Sequence, residues 1–259
     1  MATIVAHSAP GKLHLRTPRM DDPWMWLSAG WKDMWQNPVL SIGYGATFVI
    51  LGLLATLGLW FVGLESIVPV LAAGFILMGP VFAIGLYEMS RKYEAGESVY
   101  LRDIVLVPLP SPAQLGFLAY ALMFLFLVWM RLATLNYAAF SYGDYRPISE
   151  FIAFMLTSPQ GIAMLVTGTA IGGSIALLAF AMSVISVPIL LRNDVDVLTA
   201  ISLSFQVVWR NPGPMLLWAW LIAVLTAIGL ATMFMGLAIV FPLVGHATWH
   251  AYRSLVVVE

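Results

Sequence analysis

Val39–Val62 carries no charged side chain, and neither does Ser66–Tyr87. A helix needs roughly 20 apolar residues to cross about 30 Å of hydrocarbon. Uncharged runs of this length therefore predict two membrane spans, turned at Gly63-Leu64-Glu65. Leu115–Asn136 reads as a third span with a single charge, Arg131, and Gly161–Leu191 as a fourth. Met215–His250 is too long for one span and short for two, so it is divided into a tight hairpin near Gly229–Met233. The expected fold is all-α: a polytopic membrane bundle of six transmembrane helices in repeated hairpins, with amphipathic helices on the cytoplasmic face.

Composition agrees. The chain is 61% hydrophobic and 10% charged, whereas a soluble domain is about 25% charged because its surface must meet water. A formal net charge of −1, with no basic tail or arginine-rich face, gives nothing that would grip nucleic acid phosphates. The absence of cysteine excludes disulfides, thiolate metal sites and a cysteine nucleophile. Residues 1–20 form a polar tail containing Pro10 and Pro18. They lack the apolar core of a signal peptide, so the first span is expected to be retained.

Orientation follows from the basic residues. Lys12, Arg16, Arg19, Lys32, Arg91, Lys92, Arg102, Arg192, Arg210 and Arg253 fall on the side of the N-terminus. Only Arg131 and Arg146 fall toward the other side. The positive-inside bias then puts both ends in the cytoplasm.

A repeat links residues 22–38 to 196–212. Asp22, Leu27, Trp31, Trp35, Asn37 and Pro38 align with Asp196, Ile201, Phe205, Trp209, Asn211 and Pro212. Apolar positions recur at spacings of three and four, as on one face of a helix. In each copy an Asp sits at the N-cap position, and Asn-Pro closes the helix before a span begins. Each copy thus reads as an interfacial helix leading into a hairpin. Trp24, Trp31, Trp35, Trp209 and Trp249 are expected to anchor the bundle at headgroup level. The single membrane domain, 21–259, divides into repeat unit 1 (21–97), a middle hairpin (98–195) and repeat unit 2 (196–255). The middle unit would open with an interfacial helix over Ser98–Val107 and carry Pro188 in its outgoing helix. Parallel repeats differ from the inverted repeats of many secondary transporters.

Four stretches carry a family resemblance: Gly30-Trp31-Lys32-Asp33 with Asn37-Pro38; Gly79-Pro80 with Gly85-Leu86-Tyr87-Glu88-Met89-Ser90-Arg91; Asn211-Pro212-Gly213-Pro214-Met215-Leu216-Leu217-Trp218; and Gly245-His246-Ala247-Thr248-Trp249-His250-Ala251-Tyr252-Arg253. Together they resemble the bacterial integral-membrane family of unknown function numbered 2189, over roughly Trp24 to Leu255. The resemblance implies residence in the bacterial inner membrane and little about activity. Some members carry a cytochrome c oxidase label, yet this chain has four histidines, two of them in the N-terminal tail.

Several polar residues invite a chemical reading. His246 and His250, at i and i+4, share one helical face and could hold zinc, copper or haem. With Glu88 they could form a cluster; equally, they could hydrogen-bond headgroups, water or a neighbouring helix. Glu88 and Arg91 read as a local ion pair or as a polar lid between repeats, and with Arg131 as a polar set. Arg131, near the outer end of its span, can snorkel or pair with Asp144 or Glu150. Gly168 and Gly172 make a small-x3-small pattern suited to close helix packing. The outer segment Phe140–Pro159, with Tyr142, Tyr145 and Phe151, reads as a short interfacial helix or a docking surface. No phosphate loop, dinucleotide fingerprint, zinc-protease motif or nucleophile elbow is present.

The sequence therefore points to a non-catalytic membrane protein: an accessory, scaffold or assembly subunit of a larger inner-membrane complex. No cofactor is expected. Membrane lipids and other integral membrane subunits or self are the expected partners. A channel or transporter for a small solute, and a metal- or haem-handling protein using His246 and His250, stand as alternatives.

Overall fold

The computed structural model describes residues 13–64, 67–141 and 148–258. A short strand, β1 (Leu13–Leu15), leads to the amphipathic helix α1 (Asp22–Gln36), then to α2 (Pro38–Phe61). Next come α3 (Val68–Phe82), α4 (Ile84–Glu94), the single turn α5 (Leu101–Val105) and α6 (Pro112–Ser141). The chain continues through α7 (Ile148–Thr157), α8 (Pro159–Ser183), α9 (Ser186–Arg192), α10 (Val197–Arg210), α11 (Pro212–Ala231), α12 (Leu237–Leu255) and β2 (Val256–Val258). Among the described residues five helices are long and apolar enough to cross a membrane: 38–61, 68–94, 112–141, 159–192 and 212–231. The sixth expected span, α12, falls outside that set. Its first half is apolar, but His246, Thr248, His250, Tyr252 and Arg253 lower the average of its second half.

Proline sets most of the boundaries. It lacks an N–H, so it sits without loss in the first turn of a helix; α2, α6, α8 and α11 all begin on one. Asn37 caps α2 by accepting from the Leu40 amide at 3.2 Å. Asn211 instead donates its amide to the Val207 carbonyl at 2.9 Å and finishes α10. Ser158 caps α8 by accepting from the Gly161 amide at 2.9 Å. The two aspartates differ from expectation in one respect. Asp196 caps α10, accepting from the Thr199 amide and hydroxyl at 2.9 and 2.6 Å. Asp22 is already inside α1, and its carboxylate turns back to the Arg19 amide at 2.8 Å.

Hydrogen bonding to Thr199 holds the Asp196 carboxyl below its ordinary range. A carboxyl depressed in the folded state stabilises above its unfolded pKa and loses that contribution as pH falls through the folded value. Asp196→Ala should therefore lower stability by about 1 kcal/mol at neutral pH. In thermal unfolding the gap to the parent should shrink as pH falls below the ordinary aspartate range.

The long second and fourth membrane helices are interrupted. Pro80 lies inside α3, and the helix breaks at Ala83 before resuming as α4. The Tyr44 hydroxyl donates to the freed Phe82 carbonyl at 2.8 Å. The second break, at Val184–Ile185, separates α8 from α9. The Ser183 hydroxyl bonds back to Ala179 at 2.7 Å, and Ser186 reaches across to the Ala200 carbonyl at 3.1 Å. Pro242 lies inside α12 without breaking it. Between α11 and α12 the turn falls at 232–236, a few residues beyond the expected split. Thr232 builds it, donating to the Gly229 carbonyl and accepting from the Gly236 amide, both at 2.8 Å. Met233 and Phe234 adopt φ of 55° and 67° there.

The core lies at one end of the bundle, where α4, α9 and α12 meet. Around it α1 packs on α12, α5 on α4, and α10 on α8 and α9. Elsewhere α2 leans chiefly on α12, and α3 on α6, while α6 and α8 pack together. At the same end β1 and β2 pair antiparallel, Leu13 opposite Val258, so the described chain ends lie side by side. Close contacts explain two glycines. A Cβ on Gly30 of α1 would lie 2.6 Å from the Ala247 nitrogen of α12, and one on Gly45 of α2 would lie 2.5 Å from the Ala238 carbonyl.

Candidate functional site

The most concentrated buried polarity sits where α1, α2, α4 and α12 converge. His246, in the second half of α12, is fully buried. Its Nδ1 lies 2.8 Å from the Ser90 hydroxyl on α4, and its Nε2 lies 3.1 Å from the Ser41 hydroxyl on α2. A neutral imidazole has one donor and one acceptor. Two hydroxyls, each able to do either, complete it without any charge. Tyr93 of α4 lays its ring against the imidazole, centroids 6.5 Å apart.

One turn farther along α12, His250 donates from Nε2 to Asp33 Oδ2 on α1 at 2.8 Å. Gln36 donates to the other oxygen, Oδ1, at 3.1 Å. Asp33 is buried because it lies on the face of α1, with Trp26, Gly30 and Met34, that packs on α12. The histidine pair is thus divided between neighbours, His246 serving α2 and α4, and His250 serving α1.

Glu88 is buried too, but joins a different network. Arg91 donates to it from two nitrogens at 2.7 and 2.9 Å, and Arg192 of α9 lies 3.9 Å away. The structure does not bring Glu88 to the histidines, and the reason is helical geometry. Ser90 is the residue of α4 that faces His246, and a residue two positions away points about 200° around the helix. Among the described residues no group of three His, Cys, Asp or Glu side chains is placed to hold a metal ion.

Ion pairs close the polar end over this network. Arg91 also reaches Glu97 at 3.3 Å, Lys92 pairs with Asp103 at 2.9 Å, and Arg253 of α12 bonds Glu94 of α4 at 3.0 Å. The hydrogen bond from Arg91 holds the Glu97 carboxyl low, and the one from Lys92 does the same for Asp103. Beyond the histidines, toward the middle of the bundle, Tyr44, Phe48, Phe75, Phe82 and Phe241 stack at centroid distances of 4.8 to 6.3 Å. These rings pack together between α2, α3 and α12.

The remaining expected residues fall as follows. Trp24, Trp31 and Trp35 lie exposed along α1, and Trp209 is 87% exposed at the end of α10. Trp249 is not an exposed anchor: at 2% exposure it lies in the core against Tyr252, since its face of α12 is enclosed by neighbouring helices. Gly168 and Gly172 face α6, where Cβ atoms would meet Asn136 Nδ2 at 3.0 Å and Trp129 Nε1 at 3.4 Å. Arg131 is exposed on α6. Glu65, Tyr142, Asp144, Tyr145 and Arg146 lie outside the described residues, as does Lys12. Phe151 lies on α7, its ring 5.7 Å from Tyr137.

Ser41, Ser90 and Asp33 are the site residues that the sequence reading passed over. Asp33 had a usable signal: it is the charge among the inward positions 26, 30 and 34 of α1. Ser41 and Ser90 had none, because serine in a membrane helix commonly bonds its own backbone.

Residues 67–192 match the family described as "Predicted integral membrane protein (DUF2189)". The resemblance drawn from motifs holds over that stretch, and the chain is a multi-pass integral membrane protein. Of the four motifs, the one from Gly79 to Arg91 lies inside the matched residues. No curated protein and no solved structure matches the chain.

Proposed function

We propose that the chain is a non-catalytic accessory or scaffold subunit of a larger inner-membrane complex. One observation carries this reading: the buried imidazoles and carboxylates of this node are bonded to neighbouring side chains, and aromatic rings pack beside them. Ser41, His246 and Ser90 complete each other, Asp33 holds His250, and Glu88 holds Arg91. Such groups join helices rather than present an activated nucleophile or a cation cage. The stack around Phe48 and Phe241 speaks against the transporter alternative, which needs a wet route past that level. Purification from native membranes in mild detergent, followed by mass spectrometry, should return a stable membrane partner in fixed ratio. Recovery as a lone homomer would count against the subunit reading, and bound metal or haem in that homomer would favour the alternative built on His246 and His250.

The accompanying topology is six spans with both ends cytoplasmic. The pairing of residues 13–15 with 256–258 keeps these two segments together, which supports an even number of crossings. Five long apolar helices plus α12 give such a number. Three units of like packing also fit, with α1 seated on α12, α5 on α4 and α10 on α8 and α9. The chain lacks cysteine, so single cysteines report cleanly. Met233→Cys should react with a membrane-impermeant thiol reagent from outside the cell, and Ser254→Cys only after the membrane is opened. Labelling of both from the same side would remove α12 as a span.

A further inference from the structure

A cavity of about 300 Å³ lies between α6, α7 and α8, away from the polar core. Trp129, Ala133, Phe151, Met155 and Ile171 give it an apolar wall, and Asn136 and Tyr137 bring polar atoms to its α6 side. Asn136 is only partly satisfied. Its Oδ1 accepts from Thr167 at 2.6 Å, and Nδ2 donates one hydrogen to the Met164 carbonyl at 3.0 Å. An amide NH2 has two hydrogens, and the second has no acceptor among the described residues. Gly168 clears the space beside that nitrogen.

Depth decides what can reach it. Asn136 lies five residues from the end of α6 at Ser141, about 7.5 Å along the axis. Trp129 lies about 10 Å deeper on the same helix. Trp129 and Ala133 therefore lie on the midplane side of the donor, while Phe151 of α7 sits beside Tyr137 at the donor's own level. Along α6 that is the order of a lipid: an ester carbonyl above and a hydrocarbon chain below. Leu165 of the lining and its neighbours Leu132, Leu135 and Val166 are exposed on α6 and α8, both long and apolar enough to cross a bilayer, so hydrocarbon is the medium beside the cavity.

We infer that this cavity seats one acyl chain of a phospholipid, whose ester carbonyl accepts the second hydrogen bond of Asn136. The inference rests on α6 and α8 crossing the bilayer and is independent of the subunit reading. It is tested with the full chain in two kinds of nanodisc, one of dioleoyl phosphatidylcholine and one of its ether-linked counterpart, which lacks ester carbonyls. Native mass spectrometry then counts the lipids that survive as the disc is stripped. One ester lipid should be retained several-fold more than the ether lipid. Ala133→Phe, which fills the cavity, should abolish retention, whereas Val166→Phe on the adjacent lipid-facing surface should leave it unchanged. Equal retention of ester and ether lipids in the unsubstituted chain overturns the proposal without relying on any variant. So does retention in a folded Ala133→Phe protein, or recovery of a ring-bearing lipid-phase molecule in place of phospholipid.

Discussion

Gly30→Leu should unseat α1. The nearest obstacle to a side chain at this position is the backbone nitrogen of Ala247, 2.6 Å from where the first carbon would sit. Backbone in the middle of a packed helix cannot rotate aside as the tip of a flexible side chain could. The two helices must separate, which strains or breaks the Asp33–His250 bond at 2.8 Å and the Trp26–Trp218 edge contact at 5.6 Å. Overpacking typically costs about 1–3 kcal/mol. With a rigid obstacle and two dependent contacts the effect should lie at the upper end, about 3 kcal/mol. Gly43→Leu is the matched control. Gly43 lies on α2 with nothing within 4 Å of its Cβ position, and a substitution there should stay within about 0.5 kcal/mol of the parent. Thermal unfolding in detergent, followed by tryptophan fluorescence, reads both. Equal midpoints for the two variants would mean that α1 is not clamped to α12.

The same contact shows what the sequence could and could not reveal. Spans and their approximate ends were legible because hydrocarbon length dictates a run of apolar residues, and prolines 38, 112, 159 and 212 mark where helices begin. The periodicity of α1 and α10 was legible for a similar reason, since one face of each had to be apolar. The partner of that face was not. Nothing in residues 22–36 says that they lie on α12, at the far end of the chain. That gap explains the errors. Trp249 reads as an interfacial anchor until α12 is known to be enclosed. Glu88 reads as a neighbour of the histidines until Ser90 is found to occupy that side of α4. The span count hides in the same place. Buried by its neighbours, α12 carries histidine and threonine where a lipid-facing helix needs leucine, so its hydropathy sets it apart from the five long apolar helices.

His246→Leu tests whether the buried polar node holds the helices together. Leucine is close to imidazole in bulk, so the cavity it leaves is small, and the larger effect falls on the partners. Ser41 and Ser90 are each fully buried, and each would lose the ring nitrogen it now faces. An unsatisfied buried hydroxyl costs about 1–3 kcal/mol, so two of them should cost about 3 kcal/mol. One process works against this: a serine in a helix can turn to the carbonyl four residues back. If that relief were complete, the single variant would cost well under 1 kcal/mol. The triple variant Ser41→Ala, His246→Leu, Ser90→Ala separates the two cases. Removing all partners together leaves no orphan, and an apolar replacement of similar shape can be nearly neutral. Recovery of most of the lost stability in the triple variant would identify the node as helix-joining, in keeping with a scaffold. A single variant that costs little but abolishes association with a native membrane partner would instead place His246 in that association. The paired measurements of unfolding midpoint and co-purification distinguish these outcomes because only the first depends on the orphaned hydroxyls.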